Sequence, residues 1–559
     1  MNNALATLAE NFNEQTLLDY PTTALFRGDH RYDDQIEDLS REAEDNRIAF
    51  LDSVVEKARA IDPADLAAAE QITSEVLIFE AETEAGELRS RMAEFAVDPV
   101  SGFHVVFLQL VGQLPITEPE HAEAVVEKFS KFGGAFDQGI ARLRQGLATE
   151  RVPVAALCER VIGQLDGYLA SPIEADPFIH LPAPGAWDET QTATWRTALQ
   201  DVVSATIRPA YLRLRDAIHD EVLPKARPGD KAGVRWLPDG EEVYARAIHR
   251  HTSLQMPPLD IHNIGLAEIA DLEREYAELG QAVLATSDVP EIYRRLREDT
   301  SLRFETAEQV KQAGADSLAR AKAAMGDWFG KLPQADCVMA EIGVGGEDAP
   351  LAYYLPPSTD GARPGTFFIN TTDPDTRTRY ESEALAFHES IPGHHLQLAI
   401  AQELEGVEEF RKHALVNAYV EGWGLYTERL ADEMGLYSSD AARFGILSFD
   451  SWRAGRLVVD TGIHALGWSR QEAIDYMTEN SPQAPNNIVN EIDRYIGWPG
   501  QALGYKMGQR EFFRVRKMAE DRLGEAFNIK GFHDVVLGSG PVPLETLGNL
   551  VEAWVESLS

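Results

Sequence analysis

The sequence predicts a mainly α-helical protein in which a small β-sheet stands next to a metal-binding helix. Three observations carry this. Apolar residues recur at helical spacing through the first 330 or so positions, the texture changes to short strand-like runs near Leu332, and helix then returns through a histidine-rich motif at Phe387–Gln397.

The helical part is read from Asp65–Met92, Glu118–Leu147, Val152–Leu169, Asp188–Leu223, Gly265–Ala285 and Pro290–Leu318, each with apolar positions three and four apart and charges between. Prolines mark the joins, as at Pro99, Pro115, Pro153, Pro182 and Pro257. No fixed period suggests a solenoid. Cys337–Val344, Ala352–Leu355 and Gly365–Asn370 read as strands, the first two separated by Gly345-Gly346-Glu347-Asp348. Helices follow at Tyr380 through the motif to about Leu404, then Val407–Glu433, Ala441–Leu466, Arg470–Asn480 and Pro499–Leu523. Residues 1–330 are expected to form a helical scaffold, and residues 331–559 the metal-site region of one intertwined unit. An edge strand beside such a site can hold an extended peptide by backbone pairing.

The motif reads F-H-E-S-I-P-G-H-H-L-Q and contains three of the chain's fourteen histidines, His388, His394 and His395. Imidazoles beside a carboxylate, here Glu389, are the donor set of a hydrolytic zinc site, with the carboxylate placed to take a proton from zinc-bound water. The simplest spacing, H-E-x-x-H, puts two histidines about 40° apart on one helix face. Position i+4 here is Pro392. On a straight helix His388 and His394 would stand about 120° and about 9 Å apart, too far for one ion. Pro392 and Gly393 predict a break that shortens this path and swings His394 back toward His388. His395 is the alternative ligand, since a straight helix returns i+7 to the same face.

A third protein ligand is expected, with the fourth position open. Glu421 is the candidate: it lies in N-A-Y-V-E-G-W-G-L-Y-T-E, flanked by Tyr419, Val420, Trp423 and Leu425, and a buried carboxylate needs a partner. Gly422 and Gly424 would admit another backbone, and Glu428 is the weaker alternative. Arg456, Asp460 and His464 share one helix face at i, i+4 and i+8. There Asp460 would orient a ligand imidazole, and Arg456 or His464 would stabilise an oxyanion or grip a substrate carboxylate. Tyr505, in the Gly- and aromatic-rich Tyr495–Lys506, is a candidate hydrogen-bond donor to the oxyanion, with Tyr495 behind it. The polar clusters Gly28–Asp34 and His249–Thr252 read as caps and surface.

Composition sets bounds. The chain has 559 residues and a formal charge of −40, which repels nucleic-acid phosphates and anionic lipid. Two cysteines offer neither a disulfide framework nor a cysteine-bound zinc. No secretory signal and no membrane span is read from the sequence, so the expected location is cytoplasmic.

F-H-E-S-I-P-G-H-H-L-Q, Y-V-E-G-W-G-L-Y and W-R-A-G-R-L-V-V-D-T-G-I-H, with W-L-P-D-G (Trp236–Gly240) and Y-I-G-W-P-G-Q-A-L-G-Y-K, closely resemble the bacterial family called domain of unknown function 885. More distantly, the motif is similar to the F-H-E-x-G-H of thimet-oligopeptidase-like helical zinc peptidases, which carry a glutamate ligand on the next helix. Matching Gly-His to Gly393-His394 implies that His394 is the second zinc ligand and places Glu421 near the third, with two residues inserted before Gly393. The likeness implies a zincin-like fold with a deep central cleft. The expected function is a zinc metallopeptidase cleaving short peptides, with one ion on His388, His394 and Glu421 and with Glu389 as base. The alternatives are a hydrolase of a non-peptide amide or ester, or a non-catalytic metal- or peptide-binding protein.

Overall fold

Helices carry most of the chain, as its apolar periodicity predicts. The computed structural model describes residues 2–342, 350–359, 361 and 363–558. The part of the first predicted strand at Gly343-Val344, and the Gly345–Asp348 connection, lie outside them. Among the described residues no helix is long and apolar enough to cross a membrane.

Some predicted helices divide at boundaries that periodicity does not register. The run predicted from Pro290 to Leu318 divides into Val289–Glu298 and Ala307–Trp328. Asp299 accepts from the Ser301 N–H, and the Thr306 hydroxyl caps the second helix at Gln309. The run Glu118–Leu147 likewise divides at Lys131. The run Asp188–Leu223 stays helical but widens into π turns at Val203–Ile207 and Ile218–Val222. Each wide turn contains the residue four before a proline, Ala205 before Pro209 and Asp220 before Pro224. That is where a proline ring would clash with a regular helix.

The sheet has the order β1-β3-β2, with β1 (Cys337–Glu341) parallel and β2 (Ala352–Leu355) antiparallel to the central β3 (Gly365–Ile369). Cys337 pairs with Gly365, and Ala352 with Ile369. Every residue of β3 is buried, which its G-T-F-F-I sequence suits.

The site helices follow: α1 (Arg379–Glu389), α2 (His394–Gln402), α3 (Asn417–Glu433), α4 (Phe444–Thr461), α5 (Pro485–Gly497) and α6 (Leu503–Leu523). Helix α5 has no counterpart among the predicted elements. Helices α3 and α6 cross with backbones almost touching: a Cβ on Gly508 would stand 1.7 Å from the Ala418 carbonyl, and one on Gly422 would meet the Gly508 backbone at 2.5 Å. The largest apolar core takes Leu5, Leu51 and Leu77 from the N-terminal region together with Phe387, Trp423 and Val555. A second core is made within residues 25–222. The first core thus draws on both sides of the boundary near residue 330.

Candidate metal centre

Helix α1 ends at Glu389, and α2 begins at His394 after a sharp reversal through Ser390–Gly393 in which the Ile391–Pro392 peptide is cis. Gly393 passes so close to the end of α1 that a Cβ there would lie 1.8 Å from the His388 carbonyl. Helix α3 holds the reversal from the other side, since Trp423 Nε1 donates to the Pro392 carbonyl at 3.0 Å. The break expected at Pro392-Gly393 thus divides the motif between two helices and places His394 beside His388.

The two imidazoles stand edge to face, with centroids 4.7 Å apart at 89°. Glu421 Oε2 lies 3.6 Å from His388 Nε2 and 3.4 Å from His394 Nε2. One ligand atom from each of the three residues falls within 4.8 Å of the others. Donors about 2.1 Å from a tetrahedral zinc ion are about 3.4 Å from one another, so two imidazoles and a carboxylate at this spacing fit such an ion. His388 and His394 are buried, and Glu421 is partly exposed.

His388 is held from three sides by one face of α3. Glu421, Gly424 and Glu428 stand at i, i+3 and i+7, a single helical stripe. Glu428 Oε1 accepts from His388 Nδ1 at 2.8 Å, which leaves Nε2 turned to Glu421. Gly424 faces the ring itself: a Cβ there would come within 2.7 Å of Cε1. Gly422, by contrast, admits a backbone, that of α6. On α2, Gln397 Nε2 lies 2.8 Å from His394 Nδ1 and donates to the Val420 carbonyl, also at 2.8 Å, so the second imidazole is tied to α3 as well.

The remaining site residues fall in different places. His395 points the other way, into the sheet, where Nδ1 meets the Tyr354 hydroxyl at 2.9 Å and Nε2 the Ala335 carbonyl at 3.1 Å. It does not face His388 as an alternative ligand would, because both ring nitrogens are engaged on the sheet side of α2. Asp460 does not orient an imidazole of the cluster. It accepts from the Tyr244 hydroxyl at 2.6 Å and the Gly500 N–H at 3.2 Å, and burial pushes its carboxyl up to about 7. The orienting carboxylate is Glu428, which the i, i+3, i+7 stripe on α3 could have revealed. His464 also departs from its expected role. Both ring nitrogens are used, Nδ1 accepting from the Val234 N–H at 3.1 Å and Nε2 donating to the Tyr495 carbonyl at 2.9 Å, so it joins segments rather than facing an oxyanion. Tyr495 is buried and takes Arg456 Nε at 2.7 Å while donating to Glu491 at 2.6 Å. Tyr505 stands beside the cluster, its ring 6.5 Å from that of His388 and nearly parallel. Glu389 is half-buried and makes no hydrogen bond or ion pair among the described residues.

Electrostatics bind the cluster together. Burial alone would lower the His388 pKa, but the hydrogen bonds to Glu421 and Glu428 outweigh it and raise it to about 9. Burial would raise Glu421, yet the two histidines hold it well below the usual carboxylate range. Glu428 is raised by burial despite its bond to His388. Burial and the nearby Glu421 charge raise the Tyr505 hydroxyl, keeping it protonated as a donor. A proton on His388 competes with a metal ion for the same nitrogen. Its folded pKa lies above the unfolded 6.5, so the proton stabilises the metal-free protein fully below that value, and the benefit disappears as pH rises through about 9. Metal affinity moves oppositely. It is expected to rise ~10-fold per pH unit toward about 9 and then level off, as zinc titration against a competing chelator would register. A flat profile would rule out protonated His388 as the competitor.

One other group of potential ligands occurs among the described residues, His30, Asp33 and His121. Its two imidazoles stack 3.5 Å apart at 3°, so their in-plane lone pairs lie in parallel planes that one ion cannot share.

A family of proteins described as "Bacterial protein of unknown function (DUF885)" matches residues 21–551. Among solved structures, a provisionally named lipoprotein from Colwellia psychrerythraea is similar at 28% identity and TM-score 0.93, over 99% of each chain. A second, of unknown function and likewise provisionally named a lipoprotein, from Shewanella oneidensis, shares the fold at 18% identity and TM-score 0.73, covering 98% of this chain and 99% of its own. No curated protein matches this chain.

Proposed function

Since the chain belongs to the bacterial DUF885 family, whose description assigns no function, we propose one from its site: a zinc-dependent hydrolase, most simply a metallopeptidase acting on short peptides. The observation that carries the reading is the convergence of His388, His394 and Glu421 with an uncommitted carboxylate, Glu389, next in sequence to the first ligand.

A bound zinc ion would supply Lewis acidity, polarising a scissile carbonyl and easing the deprotonation of water. The chain's own residues do the rest. Glu428 fixes the His388 ring, and Gln397 steadies that of His394. Glu389 takes the proton from the attacking water and passes it to the leaving amine. Tyr505 donates to the oxyanion that forms at the carbonyl. A zincin-like arrangement, with substrate reaching the site through a cleft, belongs to this reading and accounts for a preference for short chains. The charge of −40 argues against nucleic acid as a partner. The Colwellia relative is provisionally named a lipoprotein, which does not support the cytoplasmic location expected from the sequence.

The zinc-loaded protein is expected to hydrolyse members of a mixed short-peptide library, to lose that turnover on complete chelation, and to recover it with added zinc. Mass spectrometry of the digest would follow all three. Hydrolysis that survives metal removal, or stoichiometric metal without hydrolysis, would overturn the reading.

A further inference from the structure

Helix α4 carries two arginines, Arg453 and Arg456, whose guanidiniums lie over the Tyr505 ring. Both are deeply buried, at 6% and 3% exposure. Arg456 Nε donates to the Tyr495 hydroxyl at 2.7 Å and Nη2 to Glu491 at 2.9 Å, but its Nη1 has no hydrogen-bond partner among the described residues. Arg453 is more exceptional. Its Nε and Nη1 are both buried without an acceptor, and no carboxylate stands within ion-pair distance of it among the described residues. Its guanidinium is set between rings, with Cζ 4.5 Å from the Phe449 centroid and 4.7 Å from that of Trp452.

Charge is out of balance here. Arg494 shares Glu491 with Arg456 at 3.0 Å, so two guanidiniums draw on one carboxylate while Arg453 pairs with none among the described residues. Glu428, whose Oε1 is held by His388, acts on Arg453 through space and makes no hydrogen bond to it. A chain with 91 acidic residues has no shortage of carboxylates. A buried guanidinium without a partner is costly, so its N–H groups call for an anion from outside.

Tyr505 links this cluster to the metal centre. Its ring centroid lies 4.3 Å from Arg456 Cζ and 5.7 Å from Arg453 Cζ, and 6.5 Å from the His388 ring. At about 3.5 Å per extended residue, the guanidiniums are within roughly three residues' reach of the imidazole. A carboxylate that close to a cleaved bond is what a short peptide carries at its free C-terminus.

We propose that Arg453 and Arg456 form a subsite for a substrate carboxylate, which makes short peptides with a free C-terminal acid the substrate class. The two side chains present unused N–H donors to it, the arrangement that favours planar carboxylates. The substrate assignment rests on the hydrolase reading, whereas the anion subsite does not.

The test is calorimetric binding to zinc-loaded Glu389→Gln protein, using a mixture of N-acetylated tripeptides as free acids and the same mixture as C-terminal amides. The acids are expected to bind ~10- to 100-fold more tightly, Arg453→Gln to erase that difference, and Arg453→Lys to recover part of it. Equal affinity for acid and amide, or no binding of either, would overturn the subsite without relying on any variant at Arg453. Acid preference without cleavage by the wild-type protein would keep the subsite and remove the hydrolase. Cleavage without acid preference would do the reverse.

Discussion

The Glu389→Gln protein is expected to retain its fold and its stoichiometric zinc while hydrolysing peptides ~100- to 10,000-fold more slowly, the loss that removing a general base brings. The substitution keeps size and shape and removes only the ability to take a proton. Glu389 ends α1 directly after His388 and is neither hydrogen bonded nor ion paired among the described residues, so little of the structure depends on its charge. Paired measurements of metal content and peptide turnover would check this. A variant as active as the wild type would eliminate Glu389 as the base, and a wild type with zinc but no turnover would favour the non-catalytic binding protein.

Gly424→Ala is expected to damage the metal site through sterics alone. The added Cβ would lie 2.7 Å from Cε1 and 2.8 Å from Nε2 of His388. The ring cannot retreat freely, because it is buried and Glu428 holds Nδ1 at 2.8 Å. Either the ligand or α3 must shift. A displaced ligand is expected to weaken zinc binding by ~100-fold, at least as much as the loss of an outer-shell partner. The overpacking is expected to cost about 1–3 kcal/mol of stability. Gly163→Ala provides the control: that glycine lies on an exposed helical surface with nothing within 4 Å of its Cβ, and alanine there is expected to stabilise by about 1 kcal/mol. Zinc titration and thermal or urea denaturation of both variants would measure the contrast. Undiminished affinity in Gly424→Ala would show that the imidazole is not confined by α3.

Much of the helical organisation was legible because amphipathic spacing is a local property. Helix ends were less so: Asp299 and Thr306 interrupt a periodic run through side-chain caps, and the N-terminal helices Asn3–Asp19 and Arg41–Arg59 lie outside the runs expected from periodicity. Within the site, Glu421 could be singled out by its apolar neighbours. Glu428, which the sequence offers only as an alternative ligand, takes the orienting role expected of Asp460. The difference is that α3, and not α4, presents its carboxylate to His388. Arg453 carries no such sequence signal, because an arginine beside tryptophan reads as an ordinary packed cation and only its missing partners set it apart.

Taken by itself, the sequence determined the helical class, the small sheet before the motif and a donor set of histidines and glutamates at Phe387–Gln397 and Tyr419–Glu428. Only the tertiary structure decided which of the adjacent His394 and His395 faces His388. Neighbouring residues on a helix point about 100° apart, so the choice belongs to the rotation of α2 about its axis. That rotation is set by contacts remote in sequence: Tyr354 on β2 takes His395, while Val420 and Gln397 draw His394 toward α3.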